Sequence, residues 1–283
     1  MAIFKLSKDI MTIIIKDGSI SGGTYVQMDI NISSLFHECV CVGVDPPDNN
    51  HIVLEVKTQQ LLSGLRGGSS SFNNTINEDN KNSKSSFNTS TNSSISSLRF
   101  AKVKLVKKGI PALLFELEQS SVSGRSRLIT HHIPVLIIPP RIWSEVDLPI
   151  CPDFDLTIFL PTIKVLKSIV DRIKNLSSDI TIIADSSGVL TMKIVKNSEV
   201  TIELKFNNLK TIAGNSNRST GEAGDHLEVQ ATVPLKRFSQ FVNSIKLLPN
   251  WIVANIHDKK ILQFAVEFDY AKYCFNIPSK YED

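Results

Sequence analysis

Cysteine is scarce in this sequence, and the few present are spaced for no recognisable purpose. Cys39, Cys41, Cys151 and Cys274 form no CxxC pair and no metal-ligand spacing. That argues against a zinc ribbon, a dithiol redox motif or a disulfide framework, and for buried free thiols in a reducing compartment. Aromatic residues make up only 7% of the chain, and none interleaves with a run of cations. No helix-turn-helix or RNP pattern is present, so the usual marks of a base-reading protein are missing. Long apolar runs are missing too. Lys5, Lys8, Asp9 and Lys16 interrupt the stretch around Ile13-Ile14-Ile15, no h-region of a signal peptide forms, and nothing approaches the ~20 apolar residues of a membrane span. The sequon Asn73-Asn74-Thr75 therefore carries no glycan argument. GxSxG, P-loop, HExxH and GxGxxG spacings are all missing. Asp153 and Asp155 alternate at a strand start, where one is expected to begin the strand and the other to be solvated. His131 and His132 adjoin on a strand and point to opposite faces. No catalytic, metal or cofactor site is expected. Charge of one sign is also weak. A formal net charge of +3 and a pI near 8.6 do not imply nucleic-acid binding without a favourable distribution.

What is present is organised around the stretch 133–161. Pro134, Pro139, Pro140, Pro149, Pro152 and Pro161 punctuate it, and each fixes φ and removes a donor. Yet Val135, Leu136, Ile137, Ile138, Ile142 and Trp143 are too apolar for water. An extended strap laid on protein surface is the expectation.

Before the strap, residues 2–9 read as the tail of a helix. Strands are expected at Met11–Lys16, Tyr25–Ile30, Leu35–Val44 and Ile52–Val56, with a loop at 45–50. A short helix at Thr58–Leu65 carries Leu61, Leu62 and Leu65 on one side. Residues 67–97 are Gly, Ser, Asn and Thr and cannot bury enough surface to offset ordering entropy; a disordered insert is expected. Strands follow at Leu98–Val106, Ala112–Glu118 and Arg127–Ile133, with a hairpin turn at Lys107-Lys108-Gly109. After the strap come a strand at Asp155–Leu160, a helix at Thr162–Leu176, and strands at 180–184, 188–195 and 199–206. A loop at 210–225, a strand at 227–233, a helix at 235–245 and strands at 251–257, 261–267 and 269–277 complete the chain. Strand, helix and three strands ending Ile-Pro occur before the strap and again at the C-terminus. The length fits about two domains. The pattern predicts an internal duplication, with domains at 1–134 and 154–283 joined by a connector at 135–153.

In the helix 162–176, Leu166, Ile169, Val170, Ile173 and Leu176 form a core stripe, and Lys164, Lys167, Asp171, Arg172 and Lys174 lie opposite. In 235–245, Leu235, Phe238, Phe241, Val242 and Ile245 face inward, while Lys236, Arg237 and, just beyond, Lys246 face out. Two mostly cationic helix faces in one domain suit phosphates met without base reading.

Ser126-Arg127-Leu128-Ile129-Thr130-His131-His132-Ile133-Pro134-Val135, then Ile138-Pro139 and Trp143, then Pro152-Asp153-Phe154-Asp155-Leu156-Thr157-Ile158-Phe159-Leu160-Pro161 and Leu166-Lys167-Ser168-Ile169-Val170, resemble the hydroxyurea-sensitivity subunit of the nine-one-one checkpoint clamp. Weaker similarity runs from Lys5 onward. The resemblance implies an α+β, two-domain sliding-clamp fold with sheets outside and helices within, and a nuclear (with some cytoplasmic), non-enzymatic role in the DNA-damage checkpoint. It implies a ring closed with two other checkpoint clamp subunits of the Rad type around double-stranded DNA, and a platform for a clamp loader and repair proteins. Lys164, Lys167, Arg172, Lys174, Lys236, Arg237 and Lys246 would then face DNA. By the same analogy 112–118 and 199–206 would be edge strands meeting other subunits, through Leu113, Phe115, Leu117, Ile202, Leu204 and Phe206. The connector, with Leu136, Ile138, Ile142 and Trp143, and the apolar surface beside it would form the docking groove for client proteins. In the family a strand and a whole helix precede the position of Ala2, so the chain is expected to start inside that helix, and the region 17–24 is short. A replicative homotrimeric clamp and a clamp-fold interaction protein that never touches DNA are the alternatives.

Overall fold

The computed structural model describes residues 1–17, 23–43, 50–67, 97–120, 126–148, 153–196, 200–213 and 227–280. In chain order these hold β1 (Ala2–Leu6), β2 (Ile10–Asp17), β3 (Thr24–Asn31), α1 (Ile32–Leu35), β4 (Ile52–Val56), α2 (Thr58–Gly67), β5 (Ser97–Lys108), β6 (Ile110–Ser120) and β7 (Ser126–Ile137). A 3-10 turn (Pro140–Ile142) and α3 (Trp143–Val146) follow, then β8 (Leu156–Phe159), α4 (Ile163–Ile173), β9 (Asp179–Asp185), β10 (Leu190–Lys196), β11 (Val200–Phe206) and β12 (Thr211–Ala213). The chain ends with β13 (Glu228–Pro234), α5 (Leu235–Ser244), β14 (Trp251–His257), β15 (Ile261–Glu267) and β16 (Ala271–Pro278). Nearly all of the expected insert at 67–97, of the loop at 45–50 and of the loop at 210–225 lies outside the described residues, as does the connector at 149–152.

The chain forms two compact units. One comprises Met1–Phe4 and Ile52–Trp143, the other Lys5–His51 and Ser144–Asp283. In the first, the strand order is β1-β4-β7-β6-β5. Alternation accounts for β6, where Ala112, Leu113, Phe115 and Leu117 are buried, and for β7, where Ile133 and Val135 are buried. Gly109, with φ +84, makes the turn between β5 and β6. Pro134 stands opposite Ala112 in β7, one residue before the first pair with β4 at Val135 and Val56. β4 therefore asks nothing of the missing proline N–H, which reconciles proline with an inner strand.

In the second unit one sheet runs β12-β8-β14-β15-β16-β3-β2 and another β11-β10-β9-β13. The strand-helix-three-strand pattern occurs here twice, as β8-α4-β9-β10-β11 and β13-α5-β14-β15-β16. The two copies exchange first strands: β8 pairs with β14, and β13 pairs with β9. α4 and α5 cover a core that includes Leu166, Val170, Phe238, Phe241, Ile182, Met192 and Phe264.

Two local expectations are overturned. Residues 2–6 are a strand, not a helix end: Ala2 and Phe4 are buried with period two, and the sparse apolar set Ile3, Phe4 and Leu6 satisfies either period. Residues 35–44 are not a strand in their described part. The Asn31 side chain accepts from the Ser33 amide, the Phe36 amide donates to the Ile32 carbonyl, and a single helical turn forms. Val40 and Val42 beyond it are 79% and 77% exposed. The described thiols are correspondingly not buried. Cys39 is exposed, and Cys41 and Cys274 are half-buried. Partial burial, and then the neighbouring Cys39, push the Cys41 thiol up.

Candidate nucleic-acid interface

α4 and α5 belong to one unit and pack side by side on its core. Ile163, Leu166, Val170 and Ile173 of α4 are buried, as are Leu235, Phe238, Phe241 and Val242 of α5. With those stripes fixed inward, helical geometry directs the intervening residues to the opposite faces.

The cations on those faces are not equivalent. Lys164, Arg172, Lys236 and Lys246 are exposed. Lys174 is exposed but lies 3.1 Å from Asp171. Arg237 pairs with Asp17 on β2, and its Nη1 donates to Gln240 Oε1 at 3.0 Å. Lys167 is half-buried, and its ammonium donates to the Ile245 carbonyl at 2.6 Å. Sequence alone placed all seven on one outward set. The structure engages three of them with partners from this chain, because outward-pointing long side chains can still reach a neighbouring helix end or strand.

The edge-strand expectation changes for the first unit. β6 is paired with β5 on one side and β7 on the other, and Leu113, Phe115 and Leu117 are buried. The hairpin at Gly109 folds β5 along β6, so β5 is the outermost strand among the described residues. Phe100, Val103 and Leu105 are its exposed apolar residues. β11 does lie at the edge of its sheet. Ile202, Leu204 and Phe206 face one side of it, half-buried, opposite Ile194, Met192 and Leu190 of β10.

The connector begins as strand. Leu136 and Ile137 continue β7 along β4, and Ile138 donates its amide to Val53 O at 2.9 Å. Ile138 is buried in its unit and so is not available to a groove, while Leu136 is 62% exposed. Ile142 and Trp143 are half-buried, and the Trp143 indole donates to Ile138 O at 2.9 Å. Farther on, the Lys16 ammonium reaches the carbonyl of Asp147 at 3.0 Å, and Lys5 lies 3.6 Å from the Asp147 carboxylate. A shallow groove lined by Ile10, Thr12, Ile14, Gln27 and His51 lies beside this segment.

Asp153 is exposed and Asp155 leads into β8, as the sequence implies, but the partner of Asp155 is not legible in the sequence. Asp155 is 1% exposed and meets His257, 102 residues away, with 2.8 Å between Asp155 Oδ2 and His257 Nδ1. The same oxygen accepts the Asp258 amide at 2.8 Å. The only hint was the turn His257-Asp258-Lys259-Lys260, since a carboxylate and its partner brought together by sheet pairing leave no local spacing. This pair ties the start of β8 to the end of β14. Among the described residues no group of three or more His, Cys, Asp or Glu is arranged to hold a metal ion, and no helix is long and apolar enough to cross a membrane.

A helix pair packed on antiparallel sheets, with strand-helix-three-strand copies, is the sliding-clamp architecture. The structure matches that of proliferating cellular nuclear antigen from Entamoeba histolytica with a TM-score of 0.60 at 14% identity, covering 99% of this chain and 89% of that one. The match to PCNA from Thermococcus kodakaraensis has a TM-score of 0.59 at 13% identity, covering 99% and 90%. Residues 1–278 match the family model of Hus1-like proteins, and the chain belongs to that family. It is 28% identical to human checkpoint protein HUS1 over 262 residues, 92% of this chain and 82% of that protein. It is 23% identical to the Dictyostelium discoideum hus1 homologue over 255 residues, 84% and 89% of the two chains. The protein is a DNA-damage checkpoint clamp subunit, of a fold and family that generally serve as non-enzymatic scaffolds.

Proposed function

We propose that this subunit closes a ring with two other checkpoint clamp subunits, of the Rad type, around double-stranded DNA in the nucleus. The reading rests on one observation above others: Lys164, Arg172, Lys236 and Lys246 stand exposed on two adjacent helices of one unit. Aromatic residues do not alternate with them, so they suit a phosphate backbone rather than base edges. A ring retains DNA by topology, and a modest net charge of +3 is enough for a diffuse lining. Among the described residues the outer strands β5 and β11 leave one edge unpaired, of the kind that pairs with a neighbouring subunit. Leu136, Ile142 and Trp143 border the surface offered to client proteins, among them a clamp loader and repair proteins. The protein itself performs no catalysis. The repeats divide as 1–134 and 154–283 about a connector at 135–153, a division by sequence that differs from the compact units, which group Lys5–His51 with Ser144–Asp283.

The test is charge reversal. Changing Lys164, Arg172, Lys236 and Lys246 to Glu together should abolish retention on duplex DNA at low salt, equally for unrelated sequences, while co-purification with the other clamp subunits persists. Unchanged DNA retention would assign the protein instead to clamp-fold interaction modules that do not touch DNA. A stable homotrimer on its own would point to a replicative clamp.

A further inference from the structure

We propose that Lys167 positions the α4–α5 pair by capping α5, and is not itself a phosphate contact. This refines the DNA-facing surface of the preceding reading and rests on it for the DNA arm of its test. A helix C-terminus leaves its last carbonyls without intrahelical partners and carries partial negative charge. α5 has no basic residue of its own in its last turn, and its C-cap, Ile245, is extended (φ -78, ψ 102) and not a left-handed glycine. Neither usual remedy is therefore local. Two side chains supply the remedy instead. Ser244 Oγ donates to Phe241 O at 2.6 Å, and Lys167, from α4, donates its ammonium to Ile245 O at 2.6 Å.

Lys167 is half-buried, whereas Lys164, one turn earlier on the same helix, is exposed and makes no such bond. To reach a phosphate, Lys167 would have to release Ile245 and leave the helix end uncapped. Lys246 follows Ile245 directly, so the cap also fixes where that exposed cation sits. Lys167 thus acts on DNA through another residue.

The salt dependence of binding separates the two roles, because its slope counts neutralised phosphates. For the full chain on a double-stranded oligonucleotide, Lys167→Met should weaken binding at fixed salt but leave the slope of log K against log salt unchanged. Lys164→Met should lower the slope by roughly 0.9. Independently of DNA, amides at 241–246 should exchange roughly tenfold faster in Lys167→Met, the loss expected of a charged cap. Lys167→Gln, which can still donate but carries no charge, should keep part of that protection at unchanged slope, and serves if the methionine variant does not fold. A slope that falls in either Lys167 variant, or exchange that does not change in Lys167→Met, overturns the proposal. Should the wild-type chain bind DNA at no salt concentration, the DNA-facing reading fails, and the exchange result alone decides the cap.

Discussion

Helix α2 of the first unit sets a glycine against its sheet, whereas α4 and α5 of the second set leucine, isoleucine and phenylalanine against theirs. Gly64 is buried so close to β7 that an added Cβ would lie 2.8 Å from Ile133 Cδ1. Leu62 and Leu65 of α2 remain 48% and 46% exposed. In α5, by contrast, Phe238 and Phe241 are fully buried, and Phe241 stacks on Phe264 with centroids 4.2 Å apart. The difference shows where each helix gets its position. α4 and α5 are held by broad apolar stripes, which frees their outer faces for cations. α2 is held by close backbone approach and carries little charge outward. The largest effect that should expose this contrast is Phe241→Ala, with an expected loss of about 3–5 kcal/mol in thermal or denaturant unfolding. Leu62→Ala in α2 should change stability by less than ~0.5 kcal/mol. Similar losses from both would show that the two helices are seated alike.

The units differ in buried polarity as well. Asp155, Asn276 and Ser279, the buried polar residues among those described, all lie in the second unit. Asp155 accepts two hydrogen bonds through one oxygen, so Asp155→Ala removes an anion and strands His257 and the Asp258 amide. A destabilisation of about 3 kcal/mol is expected. Asp155→Asn, which keeps the shape, should recover part of it; full recovery would mean that charge contributes nothing there. In the first unit, Gly64→Leu should cost about 1–3 kcal/mol by forcing Ile133 and α2 apart, with the loss confined to exchange protection in α2 and β7. Substitution without effect would mean that close approach is not what holds α2.

The same contrast explains what could be read from the residues in advance. Stripes such as Leu166, Val170 and Ile173 declare a helix and its buried face at once, so α4 and α5 were legible, together with most strands and the family itself. The copy β8-α4-β9-β10-β11 is implicit in the strand and helix pattern but lacks the Ile-Pro ending that marks the other copies. Short apolar sets failed: Ile3, Phe4 and Leu6 fit two periods, and the side chain of Asn31 turned the next residues into a helical turn. Partnerships failed for a different reason. That Lys167 meets Ile245, Arg237 meets Asp17 and Asp155 meets His257 depends on which elements become neighbours. So does the inner place of β6, which follows from a hairpin folding β5 outside it. Outward direction along one helix says only where a side chain starts.

The smallest expected effect sharpens the account of how α5 is seated. Tyr273 on β16 stacks near Phe241 with centroids 6.5 Å apart, and its hydroxyl lies 3.0 Å from Ser244 Oγ near the capped end of α5. Burial raises its pKa, outweighing the Ser244 hydrogen bond that lowers it, with Cys274 adding to the rise. The unfolded chain then loses this proton at about pH 10 while the folded chain still holds it. Above that pH the unfolded state binds fewer protons, so stability falls as pH rises from there through the folded value, and the contribution is intact below. Tyr273→Phe has no proton to lose. Its unfolding free energy should therefore decline less steeply than the wild type's above pH 10, while near neutral pH the variant lacks only one hydroxyl bond, about 1 kcal/mol. Parallel alkaline curves for the two proteins would mean that the Tyr273 hydroxyl is solvated, and that α5 does not press its ring into the core.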